Sequence, residues 1–439
     1  MSEQSPENRY TKKRRRRTTE AEERLSHSPL RKPQDEAAPE THGAAGKARG
    51  LRRKLAYGVK IFPSYAWQRL TRHVPQGRIH LILALADHFE PAIVPGDGQA
   101  RASRQEQGQR LERWCREYPK VVDPWRDSDG RAFVHTYFYP AEQYDRGLIS
   151  CLADHCAGGW GEVEVHLHHG IPIPDTAENT RRTLVSFRDS LAFEHGCLSY
   201  ADGACQPCYV FVHGNFALAN SAHGFGCGVD EELQILAETG CFADMTFPTS
   251  PFHPSQPSKI NSLYECAPPL RERAASRRGR DLALGHAPKK FPLIVQGPLM
   301  PDVSLQGSRR LRVDNGSLSA SNPPTLHRLQ LWKRAAVSVH GRPDWLFIKL
   351  HCHGMDPTQQ DAVVGESFRG FLRSLIEGAE ERDEILHFVS AREMVNIILA
   401  ACDGREGNPA DYLDYCFKRR KDTVFRPTAD TASQIALRG

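Results

Sequence analysis

The stretch RIHLILALADHFEP, residues 78–91, decides how this chain is read. Ile79 to Ala86 form a nearly unbroken apolar run, and Asp87, His88 and Glu90 follow at once. Such a run reads as a parallel strand covered on both faces, because neither face has to meet water. Its polar end fits the rule that the working groups of parallel α/β folds gather at the C-terminal ends of strands. Working outward, RAFVHTYFYP (131–140), GEVEVHLHHG (161–170), CYVFVHG (208–214), DWLFIKLHCHG (344–354) and ILHFVSA (385–391) have the same character.

Helical patterns lie between several of these strands. In 175–196, Asp175 with Glu178 three residues on starts a helix and Gly196 stops it. In 229–240, Val229, Leu233 and Leu236 share one face and Gly240 ends the segment. The alternation predicts an α/β fold with a mainly parallel sheet. Since a single βα barrel takes roughly 250 residues, a chain of 439 residues accommodates one barrel with tails and insertions.

The expected barrel covers 77–402 and carries an insertion at about 252–330, where Pro, Arg, Ser and Gly dominate and KFPLIVQGPLMP (290–301) reads as a strand. Residues 1–50 hold almost no large apolar side chains and are expected to be a disordered basic tail. Residues 51–76 mix basic and aromatic groups, a lead-in helical segment broken at Pro63 that suits either a membrane surface or packing against the barrel. A polar, loosely packed extension is expected over 403–439.

Composition narrows the function classes. The charge of +5 is small for the length, and much of the basic charge sits in Lys12–Arg17 and Arg52–Lys54, as in a solvated tail, so no specific nucleic-acid partner is expected. The twelve cysteines have no regular spacing and no apolar leader precedes them, which predicts reduced thiols and a cytoplasmic protein. Cys205 and Cys208 form a lone CxxC without two further ligands at suitable spacing. No apolar run reaches the roughly 18 residues that a membrane span needs.

The strand ends carry the chemistry. They offer Asp87, His88 and Glu90; His135 and Tyr139; His166, His168 and His169; His213 and Asn215; Asp244; and His351 with His353. In GEVEVHLHHG, strand alternation puts Glu162, Glu164, His166 and His168 on one face and Val163, Val165 and Leu167 on the other. Imidazoles two residues apart, about 7 Å along the strand, can converge on one metal at about 2.1 Å per bond. A carboxylate completes such a site, and Asp87 is the natural candidate, because a charge ending the most apolar segment would be costly unpaired.

At this point the sequence resembles the polysaccharide deacetylase (NodB-like) branch of the glycoside hydrolase/deacetylase superfamily, whose fold is a distorted seven-stranded βα barrel. LALADHFEP is similar to the motif that ends its first strand, and EVEVHLHHG to the motif that supplies its metal histidines. The resemblance puts Asp87 at the base position and His88 at a metal-binding position where the family has Asp, so that either of the two could hold the metal, and Asp87 or Glu90 would be the base. It implies His166 as the first metal histidine, with His168 or His169 in place of a second four residues on, where this chain has Gly170. FVHGNF (211–216) stands where the family has an Arg motif, giving His213 and Asn215 beside the substrate, together with Tyr139 and His351. GCFADMTFP (240–248) gives Asp244, which would orient the general acid His353, and LFIKLHCHG (346–354) gives Leu350 in the acetate pocket.

The expected function is therefore metal-dependent removal of an N- or O-acetyl group from a glycan, with Zn, or alternatively Co or Ni, as the ion. Another metallohydrolase or glycoside hydrolase on the same barrel, or an inactive carbohydrate-binding relative, are the competing readings.

Overall fold

The computed structural model describes residues 44–420 except 98–99, 172, 223, 225, 227, 250–252, 273–277 and 303–311, and only the backbone of 44–57. Two units emerge, Met1–Ala48 and Arg49–Gly439, and the sheet belongs to the second. Of the tail expected over 1–50, residues 1–43 lie outside the described part and 44–50 open a helix, Ala44–Thr71. That helix runs on through Pro63, which is exposed, so the carbonyl that loses its N–H partner can turn to water. Gln68 Nε2 donates to Ile260 O at 2.6 Å, so this segment does pack against the body. Val59, Phe62, Trp67 and Leu70 remain more than 60% exposed on it.

Among the described residues fourteen strands follow: β1 (Ile79–His88), β2 (His135–Pro140), β3 (Gly161–Leu167), β4 (Ser199–Ala201), β5 (Tyr209–His213), β6 (Cys241–Asp244), β7 (Leu263–Cys266), β8 (Gly279–Asp281), β9 (Leu293–Val295), β10 (Met300–Asp302), β11 (Arg312–Asp314), β12 (Trp345–Cys352), β13 (Glu384–Phe388) and β14 (Phe417–Arg419). Ten of them form one sheet in the order β12-β1-β2-β3-β5-β6-β9-β7-β8, with β13 also on β1. All its pairings are parallel except those of β7 with β8 and β9. The α/β class and the mainly parallel sheet agree with the sequence. The ladder is open, with β12 and β8 at its ends, where a distorted seven-stranded βα barrel was expected.

The sheet is nonetheless strongly curled. Lys349 on β12 donates from Nζ to Met245 O and Phe247 O, both at 2.8 Å, just past the end of β6. Four strands lie between β12 and β6. Laid flat at about 4.8 Å per strand they would be about 24 Å apart, far beyond a lysine's reach.

β1 shows why the apolar run is continuous. Leu81, Leu83 and Leu85 pack with Leu111, Trp114, Val163 and Val165, whereas Ile82, Ala84 and Ala86 join Val210, Val212, Val395 and Ile398 on the other face. The helix Ala391–Cys402 is buried at all twelve positions, as a helix without a polar stripe must be. Its two charged residues are paired: Arg392 Nη2 lies 2.7 Å from Glu162 Oε1 and Glu393 Oε1 lies 2.8 Å from Arg131 Nη2. It begins where β13 leaves β1 and β2 takes over, with Ala391 N–H donating to Thr136 Oγ1 at 2.8 Å.

Two expectations are corrected. The described part of 252–330 is largely built into the fold, because β7, β8 and β9 extend the main sheet and β10–β11 form their own antiparallel pair. The strand expected within 290–301 is β9. Residues 403–420 are not loose either, since β14 pairs with β4 and the Phe417 ring stacks on Phe242 at 3.9 Å. Residues 421–439 of that extension lie outside the described part. Among the described residues no helix is long and apolar enough to cross a membrane, and the described cysteines are unpaired.

Candidate metal centre

β3 alternates as its sequence requires. Val163, Val165 and Leu167 enter the core on the flanking-helix side. On the other face Glu162 meets Arg392, Glu164 accepts the Val210 N–H at 2.7 Å, and His166 comes last, at the top of the strand. Burial lifts the Glu164 carboxyl well above the usual range. Burial acts the same way on Glu162, but Arg392 outweighs it and holds that carboxyl at about 2.

His166 Nδ1–H donates to Val212 O at 2.7 Å, which fixes the tautomer and leaves a lone pair on Nε2. That Nε2 is buried without a hydrogen-bond partner, 3.5 Å from Glu90 Oε1. His168 lies just past the strand. Its Nδ1 meets Glu142 Oε1 at 2.8 Å and its Nε2 lies 3.6 Å from the same Glu90 oxygen. Burial acts to raise the Glu90 pKa, but the neighbouring imidazoles, His168 first, outweigh it and bring it to about 2.

His88 closes the group from β1, its ring centroid 4.8 Å from His166 and 4.8 Å from His353. Burial, then His166, keeps its pKa well below the ordinary imidazole value, and burial, then His168, lowers that of His166. Phe216 stands 5.5 Å from the His88 ring and 6.4 Å from that of His351. His351 itself is 6.5 Å from His88 and carries a buried Nδ1 without a partner.

These residues fit a divalent ion. Ligand atoms on a tetrahedral ion with bonds of about 2.1 Å lie about 3.4 Å apart, and the Glu90 separations of 3.5 and 3.6 Å match that spacing while being long for hydrogen bonds. His166 and His168 each also have their other nitrogen engaged, by the Val212 carbonyl and the Glu142 carboxylate, the outer arrangement that orients metal-binding imidazoles.

The remaining sequence candidates go elsewhere. Asp87, expected beside His88 as base, faces the opposite side of β1, since adjacent strand residues alternate. Its Oδ2 meets His135 Nε2 at 2.8 Å, its Oδ1 accepts the Gly354 N–H at 2.7 Å, and it is fully buried near Cys352 and Trp114. His169, expected as a ligand alternative to His168, is clamped between Asp175 Oδ2 at 2.7 Å and Glu232 Oε1 at 2.9 Å. Burial alone would lower its pKa, but Glu232 and Asp175 raise it to about 9, so it is an imidazolium.

His213 belongs to the same cluster, 3.4 Å from Glu232 Oε1, rather than to a substrate surface. Glu232 also accepts the Ala219 N–H, and so holds the loop that carries Asn215 and Phe216. Asn215 is half-buried with φ +55°. Tyr139 is fully buried among Phe187 and Leu184, its hydroxyl donating to Gln143 O at 3.2 Å, so it cannot touch substrate. Asp244 binds the Thr246 hydroxyl at 2.7 Å, and burial lifts its pKa to about 7. It does not orient His353. Leu350 packs on the face opposite His351 and does not line the site.

His135 with Asp87, and His169 with Glu232, are also spaced as metal groups. Their contacts of 2.8 and 2.9 Å are hydrogen-bond lengths, shorter than two ligands on one ion keep. Two residues escaped the sequence reading. Glu142 follows β2 directly, so a carboxylate just past a strand end was the available signal; Phe216 sits in a left-handed turn that no local pattern announces. No protein-family model matches the chain, and no curated protein matches it.

Proposed function

We propose that this chain is a metal-dependent hydrolase acting on carbohydrate, that it removes an N- or O-acetyl group, and that its curled sheet is a distorted form of the deacetylase barrel. The observation that carries the reading is the buried, unpartnered Nε2 of His166, aimed at Glu90 alongside His168. Two imidazoles and a carboxylate suit Zn, with Co or Ni as alternatives. A divalent ion bound there supplies polarisation of an acetyl carbonyl and a lowered pKa for water.

The chain's own residues do the rest. Val212 O and Glu142 hold the two imidazoles in place. Phe216 shields His88 from water. With Asp87 turned away, the groups facing Glu90 that can carry a proton are His88 and His353. The deacetylase reading draws its support from the order of polar strand ends along the chain, and the hydrolase reading from the centre itself.

The test uses purified full-length protein with Zn, Co or Ni on acetylated chitooligosaccharides and acetylxylan. Chelator-sensitive acetate release is expected. Absence of acetate with every metal, on both substrates, refutes the deacetylase reading.

A further inference from the structure

The four imidazoles around Glu90 do not gather at one point. Glu90, His166 and His168 place their ligand atoms within 4.8 Å of one another, and so do Glu90, His88 and His353, with Glu90 common to both groups. The five do not form a single group at that spacing. One ion with bonds of about 2.1 Å can join only atoms up to about 4.2 Å apart, so it cannot take all five as they stand.

We propose that Glu90 bridges two divalent transition-metal ions, one held by His166 and His168 and the other by His88 and His353. The two groups meet closely, with the His88 and His166 rings 4.8 Å apart. Carboxylate-bridged ions in two-metal hydrolases sit about 3.5–4 Å apart, where together they stabilise the attacking and leaving oxygens. Burial of His88 and His166, 4% and 0% exposed, keeps water from competing for the imidazoles. The inference rests on the metal-centre reading above and makes His88 and His353 ligands rather than proton carriers.

Metal content of the full chain decides it. The protein is saturated with Zn or Co, freed of loose ion by gel filtration, and measured by inductively coupled plasma mass spectrometry. The expected value is about two ions per chain, falling to about one in His88→Ala and in His166→Ala. Unfolding curves accompany each variant, and His88→Asn and His166→Asn serve where an alanine variant does not fold. Titration with Co supplies an independent readout, since the paramagnetic signal of the first equivalent should weaken as the second couples to it. One ion per wild-type chain at saturation, unchanged in His88→Ala, overturns the second site and leaves the single centre standing. No bound ion overturns both.

Discussion

Asp87→Asn separates the geometry of this structure from the resemblance in its sequence. The substitution keeps the shape of the side chain, and one amide oxygen can still accept the Gly354 N–H, now at 2.7 Å. The other contact cannot survive unchanged, because the amide nitrogen is a donor and meets His135 Nε2, now 2.8 Å from Asp87 Oδ2. Either two donors face each other, or His135 moves its proton to Nδ1, which is buried with no acceptor. Each alternative leaves one buried polar group unmet, at a cost of about 1–3 kcal/mol. Urea unfolding followed by tryptophan fluorescence should show that loss, while metal content stays at the wild-type value. Were Asp87 the general base, the variant would lose about 10²–10⁴-fold in turnover. That loss with unchanged stability, or loss of the metal, refutes the placement of Asp87 outside the centre.

Three further outcomes follow from single contacts. Glu162 binds a proton less readily in the folded chain, at about 2, than at the ordinary 4.5. Its contribution of about 3 kcal/mol is therefore complete above the ordinary value and is lost as pH falls toward 2. Glu162→Gln should be less stable than wild type at neutral pH and should narrow that gap in acid, as read from pH-dependent unfolding; a constant gap contradicts the pairing with Arg392. Leu350→Ala should cost about 2–5 kcal/mol by opening a core cavity and leave KM for acetylated substrate unchanged, whereas a raised KM at normal stability would restore Leu350 to an acetate pocket. Glu142→Gln should weaken metal affinity about 10–100-fold, measured by chelator competition, and unaltered affinity would show that the carboxylate does not orient His168.

Much of this architecture was legible because period and burial agree in it. The run from Ile79 to Ala86 is apolar on both faces because flanking helices cover one and the helix Ala391–Cys402 covers the other. Alternation placed His166 on one face with Glu162 and Glu164, and the structure keeps them there. What alternation could not supply was the partner of a residue past the strand end, so His168 and His169, adjacent in sequence, part toward Glu90 and toward Glu232.

The same limit explains Asp87 and Glu90. The resemblance favoured the first carboxylate, but Asp87 shares the side of β1 that faces Trp114, and Glu90, two residues beyond His88, turns back to the histidines. The long stretch 252–330 misled through composition: its strands are three or four residues long, too short for a periodic pattern to emerge.

The most direct test of the centre is an anomalous-difference map at the zinc edge from crystals of zinc-loaded protein. The account predicts density within about 2.1 Å of His166 Nε2, His168 Nε2 and a Glu90 carboxylate oxygen. Density among Asp87, His135 and Cys352 instead, or none near Glu90, would contradict it.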